Sequence, residues 1–334
     1  MSPVREPLLV LIPFAPDHLA RLNAVFDVIY APDAARRAAA IAGEAKGVRA
    51  VLTHGTAGLS AAEMDALAQL EIISCYGVGY DRIEVPAALE RGILVTHGPG
   101  TNTQSVADHA FALILDCVRR ISQSDRAVRA GHWHEARVSS PELSTLRLGI
   151  FGLGAIGRAV AQRGALGFGM AVAYHNRKPA ADAPYAYCAS VGELAQASDV
   201  LVVAAPGGPQ TRHVVNAAVL EALGPNGYLI NIARGSLVDT DALIAALEQG
   251  TIAGAGLDVV DGEPHVPPAL LTAPNLVITP HSAARSPTAE DNMTTLALKN
   301  LAAHFSGAPV VTPVPEWAGR LGAAQRRQTV SQKG

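Results

Sequence analysis

The chain has 334 residues, about twice the length of a common single domain, so two domains are the first expectation. Hydrophobic residues make up 49% of it and charged residues 16%, a balance that excludes a disordered or tail-like protein. The net charge of -3 gives no overall attraction to nucleic acid or to a membrane surface, and the three scattered cysteines suit buried small side chains in a reducing compartment, not a disulfide framework or a metal site.

The first apolar run, Leu8–Ile12, is bracketed by Pro7, Pro13 and Pro16. That reads as a strand, far too short for a membrane span or the core of a secretory leader, and a cytoplasmic location follows as the expectation. Val48–Thr53, Ile72–Cys75 and Ile93–Thr96 are further strands, with Ala-rich helical spacing between them. Strands apolar at nearly every position are buried on both faces, which predicts a parallel sheet.

A long helix is predicted from about Gln104 to Arg129. Ala107, Phe111, Ile114, Val118 and Ile121 share one face of it, and Ser105 with Asp108 resembles a capping box. Arg119, Arg120, Arg126 and Arg129 suit its C-terminal end as a solvated face. After Pro141 the alternation restarts, with strands at Leu148–Phe151, Ala171–Tyr174, Val200–Ala204, Tyr228–Ile232, Gly256–Val260 and Leu276–Thr279. Six strands in one unit match the size of a complete dinucleotide-binding domain. A last helix, about Thr288–Phe305, would return the chain to the first domain. From about Trp317 the sequence is polar and basic and reads as a frayed tail.

Gly152-Leu153-Gly154-Ala155-Ile156-Gly157 matches G-x-G-x-x-G, follows the strand Leu148–Phe151 and opens an Ala-rich helix. In that context the glycines permit a tight turn, close approach of a pyrophosphate and helix–strand packing. The helix N-terminus offers free N–H groups to the phosphates. A dinucleotide fold that prefers NAD(H) places a carboxylate about 20 residues on. Here Asn176, Arg177 and Lys178 stand there instead. Asn does not repel a 2′-phosphate and Arg177 can grip one, which favours NADP(H) over NAD(H), unless both cations only decorate a surface turn.

Three later segments end strands on one sheet edge: Asn231 to Gly235, the stretch from Asp258 to Pro264, and Thr279 to His281. Ligands of open parallel sheets bind beyond the carboxyl ends of the strands, so Arg234, Glu263 and His281 can converge there. A cation to hold an anionic substrate, an imidazole to move a proton and a carboxylate to tune it suit one reaction.

Taken together with Tyr76-Gly77-Val78-Gly79-Tyr80-Asp81, these motifs resemble the D-isomer-specific 2-hydroxyacid dehydrogenases from about Val4 to Glu316. Ala205 to Pro209 and His175 to Arg177 are most similar to the glyoxylate/hydroxypyruvate and hydroxyphenylpyruvate reductase branch. The resemblance implies an α/β fold of two doubly wound parallel-sheet domains. One is a discontinuous flavodoxin-like substrate domain (1–100 plus 287–316). The other is a Rossmann dinucleotide-binding domain (101–286) with a dimerisation region at 101–145, and 317–334 is a flexible tail.

It further implies that Arg234 holds the substrate carboxylate and carbonyl, that His281 protonates the carbonyl oxygen, and that Glu263 bonds His281 and favours imidazolium. Backbone N–H groups of Val78 and Gly79 would bind the carboxylate. Thr103 and Asp258 would sit near the nicotinamide, with Ala205, Pro206, Ile232 and Ala233 lining the dinucleotide. The reaction implied is NADPH-dependent reduction of a small 2-oxo acid by a homodimer, with no nucleic-acid or membrane partner. A nucleotide-sensing, corepressor-like protein on the same fold is the alternative. Arg285 is an extra cation near the site that reaches a second anionic group or faces solvent, and His54 borders the substrate or caps its loop. Trp133 lies close to the dimer interface or to the partner's cleft, or is an ordinary buried tryptophan.

Overall fold

The computed structural model describes residues 5–317, which divide into two compact units: the chain up to Asn102 together with everything from Pro287, and Thr103–Ser286 between them.

The first unit is built on five parallel strands: β1 (Pro7–Val10), β2 (Asp27–Tyr30), β3 (Ala50–Thr53), β4 (Ile72–Cys75) and β5 (Leu94–Thr96), in the order β2-β1-β3-β4-β5. Period-2 alternation sorts their side chains between two faces. Leu9, Val51, Ile73 and Val95 pack into one core, whereas Leu8, Val10, Ala50, Leu52 and Ile72 pack into another. The second core is completed by Ala297 and Leu301 of the helix Pro287–Phe305. That helix therefore has to return from the far end of the chain. Fully burying one leucine contributes about 1.5–3 kcal/mol, and without this helix an apolar sheet face would stand in water. The strand β2 was not expected. Its residues are exposed or only half-buried, and it pairs on one side only, so it lacks the continuous apolar signature of its neighbours.

The second unit holds seven parallel strands: β6 (Arg147–Phe151), β7 (Ala171–His175), β8 (Ala186–Tyr187), β9 (Val200–Val203), β10 (Tyr228–Asn231), β11 (Gly254–Leu257) and β12 (Leu276–Ile278). Their order, β12-β11-β10-β9-β6-β7-β8, reverses direction between β6 and β9, the crevice where doubly wound sheets take ligands. One face is covered by Val106, Ala107, Ala110, Phe111 and Ile114 of the helix Thr103–Arg119, packed on Leu148, Ile150, Val200, Val202 and Ile230. On the other face Leu194, Leu220 and Leu243 pack on Leu201, Val203 and Leu229.

Several boundaries differ from expectation. The seventh strand, β8, is a two-residue edge with exposed side chains and carried no pattern. The strand predicted over Gly256–Val260 runs instead over Gly254–Leu257, so Asp258 lies just beyond its end. The predicted long helix is two, Thr103–Arg119 and Ile121–Arg129, broken where Arg120 adopts φ +54°. Asp116 makes that break by accepting from the backbone N–H and the hydroxyl of Ser122. The Ser105–Asp108 capping box is not formed: the Ser105 hydroxyl donates to Ala283 O at 2.7 Å, and Asp108 pairs with Arg163. Trp317 is no frayed residue, since its indole N–H donates to Ile93 O at 2.9 Å; the rest of the predicted tail lies outside the described residues. Among the described residues no helix is long and apolar enough to cross a membrane.

Candidate active site

The glycine-rich turn follows β6, as its spacing requires. Gly152 has φ +101°, and a Cβ there would lie 2.5 Å from the Ala205 nitrogen, so both conformation and space demand glycine. A Cβ on Gly157 would lie 2.1 Å from Gly152 O, which is the close helix–turn contact of a dinucleotide fold. At Gly154 the situation is opposite: a Cβ would meet nothing within 4 Å. Gly154 is also the N-cap of the helix Ala155–Gln162, with no side chain capping its N–H groups. An open glycine at an uncapped helix N-terminus fits a phosphate group.

Asn176, at the end of β7, turns Oδ1 onto the Leu153 N–H at 2.7 Å. This bond fixes the amide, so its NH₂ points away from the turn as a donor. Arg177 and Lys178 are exposed, and among the described residues neither side chain makes a hydrogen bond or ion pair. Leu153, Ala205, Ile232 and Ala233 are buried, Pro206 is exposed, and Thr103 begins its helix.

The strand-end loops carry the titratable groups. At the end of β10, the buried Asn231 accepts from Ala233 N at 3.1 Å and donates to Arg234 O at 2.9 Å, which shapes the turn that bears Arg234. Gly235 presses this turn against the next loop, where a Cβ would lie 2.0 Å from Asp261 N. In that loop Glu263 accepts from Val260 N at 3.4 Å through one oxygen and pairs with His281 Nδ1 at 2.6 Å through the other. Burial pushes the Glu263 carboxyl up, but the His281 bond and charge, the Val260 amide and the Arg234 charge outweigh it and hold the group below its ordinary value. Glu263 therefore stays ionised at neutral pH. Arg234 bonds Ala233 O at 2.7 Å and acts on Glu263 through charge. Sequence reasoning placed Arg234, Glu263 and His281 together, and the second unit brings them together.

His281 itself has φ +52°, a left-handed conformation uncommon outside glycine. Its N–H donates to Asp258 O at 2.8 Å and Thr279 O at 3.0 Å. The Asp258 carboxylate, 1% exposed, accepts from Thr279 Oγ1 at 2.7 Å, Ser282 N at 2.8 Å and Ala283 N at 2.9 Å. It therefore grips the chain on both sides of His281. His109 Nε2 donates to Thr279 Oγ1 at 2.8 Å and lies 3.4 Å from Asp258. Burial raises the Asp258 carboxyl, but His109, Thr279 and the two amides together bring it below its ordinary value. The supporting roles of Asn231, His109 and Thr279 were missed. Only the placement of His109 one turn after Ser105 hinted that this helix face holds the loop.

Val78 and Gly79 lie in the first unit, in the turn after β4. On the neighbouring loop His54 Nδ1 accepts from Ala57 N at 2.9 Å and meets Thr56 Oγ1 at 2.9 Å, which is the loop-capping arrangement.

Residues 111–283 match the NAD-binding domain of the D-isomer specific 2-hydroxyacid dehydrogenases. The chain belongs to this family. Among its relatives, hydroxyphenylpyruvate reductase of Plectranthus scutellarioides is 44% identical over 81% of this chain and 87% of its own length. A glyoxylate/hydroxypyruvate reductase of Arabidopsis thaliana is 43% identical over 80% and 85%. The crystal structure of an NADPH-dependent glyoxylate/hydroxypyruvate reductase from Sinorhizobium meliloti, in complex with NADP and malonate, is 41% identical, with a TM-score of 0.86 over 93% of this chain and 97% of that one. This 2-hydroxyacid dehydrogenase is thus an NAD(P)-dependent oxidoreductase similar to glyoxylate/hydroxypyruvate reductases, with two all-parallel sheets.

Proposed function

We propose that the protein reduces small 2-oxo acids (glyoxylate, hydroxypyruvate or an aryl pyruvate) to D-2-hydroxy acids with NADPH. The observation that carries this reading is the 2.6 Å His281–Glu263 pair at a strand end beside Arg234. With Nδ1 committed to an ionised Glu263, the proton chemistry of His281 falls to Nε2. The cationic ring has an Nε2–H to give to the carbonyl oxygen during reduction; the neutral ring has an acceptor there for oxidation. The bound nicotinamide supplies the hydride. Arg234 holds the substrate carboxylate and carbonyl, and the N–H groups of Val78 and Gly79 take the carboxylate.

Gly152 to Gly157 and the open N-terminus at Gly154 would cradle the pyrophosphate. Thr103, Ala205, Pro206, Ile232, Ala233 and Asp258 would form the rest of the cofactor site. The second unit would therefore be the dinucleotide domain and the first the substrate domain. Preference for NADP(H) is supported by the fixed Asn176 donor and by the exposed Arg177 and Lys178, which have no partner among the described residues. A homodimer built on the region 101–145 is supported by the helix Ile121–Arg129, which buries no residue within its own chain, and by exposed Ile121, Val128, Trp133 and Val138. The free cysteines suit a reducing cytoplasm.

The test is loss of reduced-nicotinamide absorbance with NADPH or NADH over a panel of 2-oxo acids. Faster turnover with NADPH on at least one member is expected, and no turnover with any would refute the reading.

A further inference from the structure

In the turn after β4, three successive carbonyls are bonded. The Gly98 N–H donates to Gly77 O at 2.6 Å, His97 Nδ1 donates to Val78 O at 3.0 Å, and the Cys75 thiol donates to Gly79 O at 3.2 Å. The peptide unit is planar and trans, so a carbonyl fixed in one direction fixes the next residue's N–H in the opposite one. Holding Gly77 O aims the Val78 N–H, and holding Val78 O aims the Gly79 N–H. Among the described residues, neither of these N–H groups donates to a backbone carbonyl. The turn has no room to drift, since a Cβ on Gly55 would lie 2.2 Å from Gly79 O.

His97 is itself held by a segment more than two hundred residues away. Its N–H donates to Thr312 O at 3.0 Å, and Thr312 Oγ1 donates to His97 O at 2.6 Å. Thr312 is anchored in turn by Asn300, which is 1% exposed. The Asn300 amide accepts from Val311 N at 2.9 Å and Thr312 N at 3.1 Å, and donates to Thr312 Oγ1 at 2.8 Å. The Tyr80 ring stands edge-on to the imidazole at 5.2 Å, and its hydroxyl donates to Glu316 at 3.3 Å. Burial lifts the Tyr80 phenol to about 12, so it remains a donor.

We propose that His97 is a positioning residue for the substrate carboxylate: through Val78 O it aims the Gly79 N–H, and residues 311–316 brace it from the C-terminal side. The inference rests on the reading that the Val78 and Gly79 N–H groups bind that carboxylate. It explains why a histidine with no part in the proposed proton chemistry is tied down through its ring and both of its backbone groups.

The test compares His97→Ala, His97→Asn and Thr312→Val with wild type, measuring KM and kcat for glyoxylate, Kd for NADPH, and Kd for oxalate on the NADPH-loaded enzyme. His97→Ala should raise KM and oxalate Kd about three- to tenfold, the scale of one lost hydrogen bond. The kcat should stay within about twofold and NADPH binding should not change. Asn carries an N–H donor near the position of Nδ1, so His97→Asn should restore most of the loss. Thr312→Val should show a smaller rise of the same kind. Unchanged KM in His97→Ala, a fall in kcat alone, or equal loss in His97→Asn would overturn the inference. Wild-type enzyme that fails to bind oxalate would instead overturn the carboxylate reading itself.

Discussion

Asp258→Asn is the most informative single change in the second unit, because it keeps the shape of the side chain and alters only what its oxygens do. The wild-type carboxylate accepts Thr279 Oγ1 and Ser282 N on one oxygen and Ala283 N on the other. An amide can replace only one of those oxygens, so its NH₂ must face an N–H donor. Two buried donors then lack acceptors. At roughly 1–3 kcal/mol for each unsatisfied buried group, the cost is about 2–6 kcal/mol. For a domain of this size that lowers Tm by about 4–24 °C. The folded carboxyl sits below its ordinary value, so its contribution is fully present above about pH 4 and is lost as the pH falls through the folded value. Thermal scans at pH 7 and below pH 4 should therefore show a wide gap between wild type and variant at neutral pH and a narrower one in acid. Turnover should fall as well, because Ser282 and Ala283 follow His281 directly. A variant that melts with wild type at pH 7, or a gap independent of pH, would refute the reasoning.

Three other outcomes are expected. Arg177→Asp should weaken NADPH about ten- to a hundredfold and leave NADH nearly unaffected, as the loss of one charge-assisted contact requires; equal effects on both would contradict the 2′-phosphate assignment. Glu263→Gln should retain part of the activity with a slower transfer step, because an amide holds His281 Nδ1 less firmly than the ionised carboxylate does; an unchanged transfer rate would show that the pair does not matter to the reaction. Sedimentation at micromolar concentration should give a dimer, and a monomer would remove the role assigned to the exposed Ile121, Val128 and Trp133.

What the sequence revealed follows from how local each feature is. Interior strands such as Val200–Val203 were legible because both faces are buried and every residue is apolar. Asp27–Tyr30 and Ala186–Tyr187 were not, since edge strands pair on one side and carry mixed side chains. The break at Arg120 left no glycine or proline to mark it; it is made by Asp116 reaching six residues ahead to Ser122. In the site, Arg234, Glu263 and His281 could be read because each lies in a loop that follows a strand of one sheet. The jobs of Asp258, His109 and His97 could not. His109 meets Thr279 across 170 residues and His97 meets Thr312 across 215, and such contacts exist only once the sheets are assembled. The exposure of Trp133, at 61%, also needed the structure, because composition does not distinguish a core tryptophan from an interface one.

Single-turnover oxidation of bound NADPH by a 2-oxo acid, in wild type and in His281→Ala, tests the account most directly, since it isolates the transfer step from product release. Wild type should oxidise the cofactor in one fast phase. His281→Ala should bind NADPH as well as wild type but react roughly 10²–10⁴-fold more slowly, the scale of a positioned general acid. A His281→Ala enzyme that reacts at the wild-type rate would contradict the central assignment.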